Sequence, residues 1–174
     1  MARRAGNGLS VLLLALSSSA LTPTATAGTH RAAAPSGVYC GPQEGFYGKD
    51  RWTYADVLVC LHFEGGPEGE LKVNTHNNTY FWGGAWYSAS ITNRAKWEVD
   101  GTVSKGGQTD GYHVGAFQAA RDGYAPGRHL PVLKECGTYQ VTMKFHQNGA
   151  HWLDPEWDIK SGVRTYQIDV PCKG

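Results

Sequence analysis

The stretch Thr138-Tyr-Gln-Val-Thr-Met-Lys-Phe145 sets Tyr139, Val141, Met143 and Phe145 against Thr138, Gln140, Thr142 and Lys144. A period of two puts one set inside and the other in water, the mark of a half-buried β-strand. Thr165-Tyr-Gln-Ile-Asp-Val170 repeats that pattern. The shared Thr-Tyr-Gln, followed each time by a β-branched residue, predicts two strands in similar surroundings that neighbour each other in one sheet. Upstream, in 54–63, Ala55, Val57, Val59, Leu61 and Phe63 share a face and Leu58 and Cys60 take the other. That predicts a central strand buried on both sides. Gly65-Gly66-Pro67 forces a turn, after which Leu71 and Val73 begin a second strand. A third is expected over 85–92. In 95–100, Ala95, Trp97 and Val99 point inward while Lys96, Glu98 and Asp100 point outward. Residues 112–118 and 130–134 are further strand candidates. No segment carries a helical apolar stripe of useful length.

About eight short strands joined by Gly-rich turns predict an all-β chain, an immunoglobulin-like antiparallel sandwich, with a small β-barrel as the alternative. Trp97, Tyr139, Phe145 and Tyr166 are the expected core aromatics. Composition agrees with one folded domain: 174 residues, 41% hydrophobic and 11% aromatic, are too apolar for a disordered, solvating chain. The 23 glycines follow no three-residue period, which excludes collagen. A formal net charge of +1 lacks the cationic surplus that nucleic acid or anionic membrane binding needs.

Residues 1–27 begin with Arg3-Arg4, continue through the apolar run 11–16 and end in Ala25-Thr26-Ala27. The run is too short to span a bilayer, and the small residues suit signal peptidase, so cleavage is expected after Ala27. Its removal leaves 14 basic residues against 15 acidic ones, a net charge of −1. Residues 28–37, which include His30 and Arg31, have no buried-face pattern and are expected to form a flexible arm. Residues 38–174 form the single predicted domain. Its four cysteines are destined for an oxidising compartment and allow three pairings. The favoured one joins Cys40 to Cys60, close together near the start, and Cys136 to Cys172, which bracket the final stretch. No cysteine pair has zinc-ribbon or redox spacing, and no metal or other cofactor is expected.

Catalytic patterns are sparse. No serine occupies a Gly-x-Ser-x-Gly elbow, and the thiols are expected to be oxidised. His146 and His151 precede the acidic run 153–158, but without the glycine or the i, i+4 histidines of familiar metal loops. A solvated connection between the last two strands is the simpler expectation. Aromatic clustering is more informative. Tyr80-Phe81-Trp82-Gly-Gly-Ala-Trp86-Tyr87 holds five aromatics around Gly83-Gly84, and Trp152 and Trp157 occupy a second loop. Such rings stack on sugars or anchor protein interfaces. Trp82, Trp86, Tyr87, Trp152, Trp157, His30 and Arg31 are therefore the candidate binding residues.

The alanine-rich export signal, the paired cysteines and the Gly/Trp/Tyr-rich β pattern resemble the small secreted proteins of actinomycetes. Arg51-Trp52-Thr53-Tyr54, in a different order, resembles the Trp-Arg-Tyr recognition turn of the small α-amylase inhibitors in that group. The export signal, a compact β domain and an extended arm at 28–37 also resemble the adaptor subunit of the umbrella-shaped toxin particles that streptomycetes secrete. That resemblance implies a small, non-enzymatic protein joining a large toxin scaffold to lectin subunits. The expected function is thus a secreted, extracellular protein–protein interaction module with other secreted proteins as partners, and no nucleic acid or membrane after signal cleavage. One alternative is an inhibitor of a secreted amylase or protease that uses the loop 43–53. Another is a carbohydrate-binding module that takes glycans on its tryptophans.

Overall fold

The structure, a computed structural model, describes residues 36–64, 66–149 and 155–172. The predicted signal, His30, Arg31 and Trp152 lie outside the described residues. Eleven strands run in order: β1 (Gly37–Cys40), β2 (Glu44–Tyr47), β3 (Thr53–Phe63), β4 (Glu70–Trp82), β5 (Ala85–Ser88), β6 (Ala95–Lys105), β7 (Gln108–Ala119), β8 (Gly123–Tyr124), β9 (Arg128–His129), β10 (Gly137–Asn148) and β11 (Ile159–Val170). Two 3-10 turns, Lys49–Arg51 and Pro155–Trp157, are the remaining regular elements among the described residues.

The strands form two antiparallel sheets around one core, a sandwich-like arrangement. Sheet 1 is built on β3 and β4. The short strands β1 and β2 lie in tandem along the outer edge of β3, and β5, β8 and β9 along that of β4. Sheet 2 has the order β11-β10-β6-β7. The predicted neighbours are indeed paired: Gln140 faces Gln167, Val141 faces Tyr166 and Thr142 faces Thr165 across β10 and β11. All four expected core aromatics are buried, as is the Ala55, Val57, Val59, Leu61, Phe63 face of β3. Tyr112, Phe46 and Phe117 join them.

The expected count of eight strands is corrected to eleven among the described residues. The additional ones are two to four residues long, too short for alternation to register. Residues 130–134 are corrected from strand to turn. Leu130, Val132 and Leu133 are buried there, so their apolarity serves as a plug beneath an irregular connection. The third strand ends at Ser88, because the Ala89 amide donates to the Asn78 carbonyl and the chain then turns through Ser90–Asn93.

Both disulfides match the favoured pairing. Cys40 and Cys60 are directly opposed across β1 and β3. Cys136 and Cys172 close the open end of the β10–β11 hairpin.

One β-bulge reverses which side chains of β4 face the core. Tyr54 pairs with Thr79 but Asp56 pairs with His76, so β4 carries one extra residue between them. Asn77 takes it up at φ 52°, a left-handed conformation that asparagine tolerates. Before the bulge Leu71, Val73 and Thr75 face the core; after it the parity switches and Asn78 faces inward, fully buried. Its Oδ1 accepts from Trp97 Nε1 at 2.9 Å and Gln147 Nε2 at 3.0 Å, both on sheet 2. Its Nδ2 donates to Thr75 Oγ1 and the Arg121 carbonyl. A buried amide with both ends satisfied joins the two sheets.

On the outer face of sheet 1, His62 Nε2 is buried without a partner. Desolvation, with help from Lys72, holds this imidazole below its ordinary value of 6.5. The unfolded chain therefore takes up the proton first. The contribution of His62 is complete above pH 6.5 and is lost as pH falls through the lowered native value. His62→Asn is expected to flatten the acid limb of stability, so that its urea midpoint falls less between pH 7.5 and 5 than that of the native chain.

Candidate functional site

The bulge sets up one end of the molecule. Beyond Asn78, β4 runs out of the sandwich and returns as β5 through Gly83 and Gly84, both at positive φ (55° and 88°), as a two-residue type I′ hairpin requires. Alternation gives this ribbon two faces. Tyr80, Trp82 and Tyr87 lie on the side continuous with the core, and Thr79, Phe81 and Trp86 on the outer side of sheet 1. Tyr80 and Tyr87 stack, with centroids 5.8 Å apart. Trp82, Trp86 and Tyr87 are 49%, 47% and 47% exposed. These three sequence candidates thus come together, and none enters the core. Ile91, in the turn after β5, is more exposed still.

Trp157 sits nearby. Its ring stacks on Trp52 at 4.7 Å and 14°, Trp52 packs edge-on to Phe81, and Phe81 packs edge-on to Trp86. A continuous ladder therefore joins Trp157 to Trp86. The backbone holds it: Phe81 N donates to Trp52 O, and Thr53 Oγ1 to the Trp157 carbonyl. Gly48 lies so close that an added Cβ would meet Trp157 O at 1.9 Å and Thr53 Oγ1 at 2.1 Å. No larger residue fits there without moving this junction. Lys49 and Glu156 add an exposed ion pair between the two 3-10 turns.

Sequence reasoning counted Phe81 in the aromatic run but not among the binding residues, and it did not join Tyr47, Trp52 or Tyr54 to that run. Tyr47 and Tyr54 are directly opposed across β2 and β3, with centroids 4.6 Å apart. The run 43–53 is not a free loop, since Glu44–Tyr47 is paired along β3 and Lys49–Arg51 is a 3-10 turn. The clue was present in Tyr47, Arg51, Trp52 and Tyr54, but only the pairing of β2 with β3 places them beside Trp86.

The other polar groups make local ties. His146 Nε2 faces Asp158 at 3.1 Å and its Nδ1 faces Glu98 at 3.9 Å. The Asp158 carboxylate also accepts from Gly149 N. Asp158 is buried, which corrects the expectation of a solvated acidic connection at this residue. Ser161, beside His146, accepts from Phe145 N and donates to Gly162 O, so its hydroxyl is committed to backbone. Among the described residues no group of three or more His, Cys, Asp or Glu is arranged to hold a metal ion.

No protein-family model, no curated protein and no solved structure matches this chain.

Proposed function

We propose that the chain is a secreted, non-enzymatic module that binds another secreted protein through its aromatic β4–β5 hairpin. The carrying observation is the exposure of Trp82, Trp86 and Tyr87 on a ribbon whose base is hydrogen-bonded into the core by Asn78. Large aromatics held rigid in water are costly for a monomer, and Trp and Tyr dominate the energetic centres of protein interfaces. Export is supported by the signal-like residues 1–27 and two disulfides. No helix among the described residues is long and apolar enough to cross a membrane. The resemblance to umbrella-particle adaptors points to a partner within an extracellular toxin complex; the expected arm at 28–37 lies outside the described residues up to residue 35, and its last residue, Gly37, is instead paired with Phe63 in β1.

We read the sandwich as immunoglobulin-like. Order β11-β10-β6-β7 corresponds to strands G, F, C and C′ of a variable-type domain. Trp97 is buried on the strand in position C. Tyr139, near the start of the strand in position F, donates its hydroxyl to the Glu135 carbonyl four residues upstream, as in a tyrosine corner.

The test is capture of partners from culture supernatant of the producing cells by the tagged mature chain. The double variant Trp82→Ala/Tyr87→Ala is expected to lose at least about thirtyfold in affinity for the captured protein. Equal retention by the variant, or a lone monomer under gentle conditions, would overturn the proposal.

A further inference from the structure

On the outer side of sheet 1, away from Tyr80, Trp82 and Tyr87, a pocket of about 250 Å³ opens between Tyr47, Arg51, Tyr54, Thr79 and Trp86. The tilted rings of Tyr47 and Tyr54 line one part, and Trp86 rises from the hairpin. Arg51 lies over the Tyr47 ring, its Cζ 4.3 Å from the centroid. The chain delivers it at a cost. Asp50 and Arg51 sit at φ 53° and 61°; aspartate tolerates that left-handed region, but for Arg51 it is disfavoured by about 1 kcal/mol or more. Strain of this kind at a pocket rim points to a use for the side chain it presents.

The charge there is one-sided. Arg51 is exposed and forms no ion pair among the described residues. Asp56, the nearest acid along β3, does not line the pocket; its carboxylate accepts from Tyr54 Oη and from Asn77 Nδ2. That hydrogen bond to Asp56, with burial, pushes the Tyr54 hydroxyl up to about 12. Tyr54 thus stays neutral, with its hydroxyl committed to Asp56, and offers the pocket its ring.

Ring faces beside one guanidinium that pairs with no acid among the described residues suit a ligand with a flat C–H face and a carboxylate on the same small unit. A neutral sugar would leave Arg51 unused, and a simple aliphatic acid would leave the rings uncovered. We infer that this pocket binds a carboxylate-bearing pyranose of an acidic polysaccharide, its face on Trp86 beside Tyr54 and its carboxylate on Arg51, which the Tyr47 ring holds in place. The site shares Trp86 with the proposed protein interface, but Trp82 and Tyr87 lie on the other face of the ribbon, so the inference stands without the protein-binding proposal.

Titration calorimetry with oligogalacturonate, alginate and hyaluronan oligosaccharides tests it, with malto- and cello-oligosaccharides of equal length as neutral probes. At least one acidic probe is expected to bind, more weakly as salt is raised. Arg51→Asn keeps a residue that tolerates left-handed backbone, so its melting temperature should hold while affinity drops about tenfold or more. Tyr47→Ala should weaken binding similarly, and Trp82→Ala/Tyr87→Ala should leave it unchanged. The inference is overturned if no acidic probe binds at millimolar concentration, or if neutral probes bind equally. Insensitivity to Arg51→Asn, or equal binding of tetraglutamate at the pocket, overturns it as well, the latter by assigning the site to an acidic peptide.

Discussion

Asn78→Leu is expected to cost more than about 4 kcal/mol, enough to remove most of the stability of a domain of ordinary marginal size. Leucine has nearly the same shape, so the loss comes from the partners left behind. Trp97 Nε1 and Gln147 Nε2 are both buried and lose their acceptor. Gln147 Oε1 already lacks a partner, so that side chain would be left with none. Orphaning a buried donor costs about 1–3 kcal/mol, and the Thr75 hydroxyl and Arg121 carbonyl lose donors as well. Urea or thermal unfolding measures the effect. Making Gln147 apolar at the same time removes one orphan, so Asn78→Leu/Gln147→Leu should recover part of the loss. A single-variant cost below about 1 kcal/mol, or no recovery in the double variant, would remove Asn78 from this role. Because Ala89 N bonds to the Asn78 carbonyl, amide exchange in β5 should speed up more than in β10 or β11.

The double variant Cys136→Ala/Cys172→Ala is expected to lose about 3–4 kcal/mol, the chain entropy returned when a loop of this length is opened. The 36-residue separation spans β10, its connection and β11. The bridge ties the exit of β11 to the entry of β10, next to the Tyr139–Glu135 hydrogen bond. Lys105 also donates to the Cys136 carbonyl, so β6 is tied to the same corner. Replacing both cysteines avoids a free thiol. The check is the unfolding free energy from urea midpoint and slope together, compared with the native chain in the same buffer, the slope being expected to rise because the unfolded chain loses a crosslink.

Legibility in the sequence depends on how local each signal is. Alternation in 54–63, 95–100 and 138–145 needs only neighbouring residues, and those runs became β3, β6 and β10 with their apolar faces inward. The aromatic run 80–87 was legible as a cluster, since Gly83-Gly84 between rings is a local turn signal. Its division into two faces was not, because the Asn77 bulge reverses parity within β4. Local alternation continued through that point would have placed Asn77, not Asn78, in the core.

By itself, then, the sequence determined the β class, the strands whose period is unbroken and the core aromatics, and it favoured one of three cysteine pairings, which the structure shows. These depend on spacing along the chain, which the chain carries from the start. Only the tertiary structure decided that Asn78 joins the sheets, that Trp52 stacks on Trp157, and that Arg51 meets Tyr47, Tyr54 and Trp86. Each of these rests on strand register and on residues distant in sequence. One extra residue in one strand moves every later side chain to the opposite face.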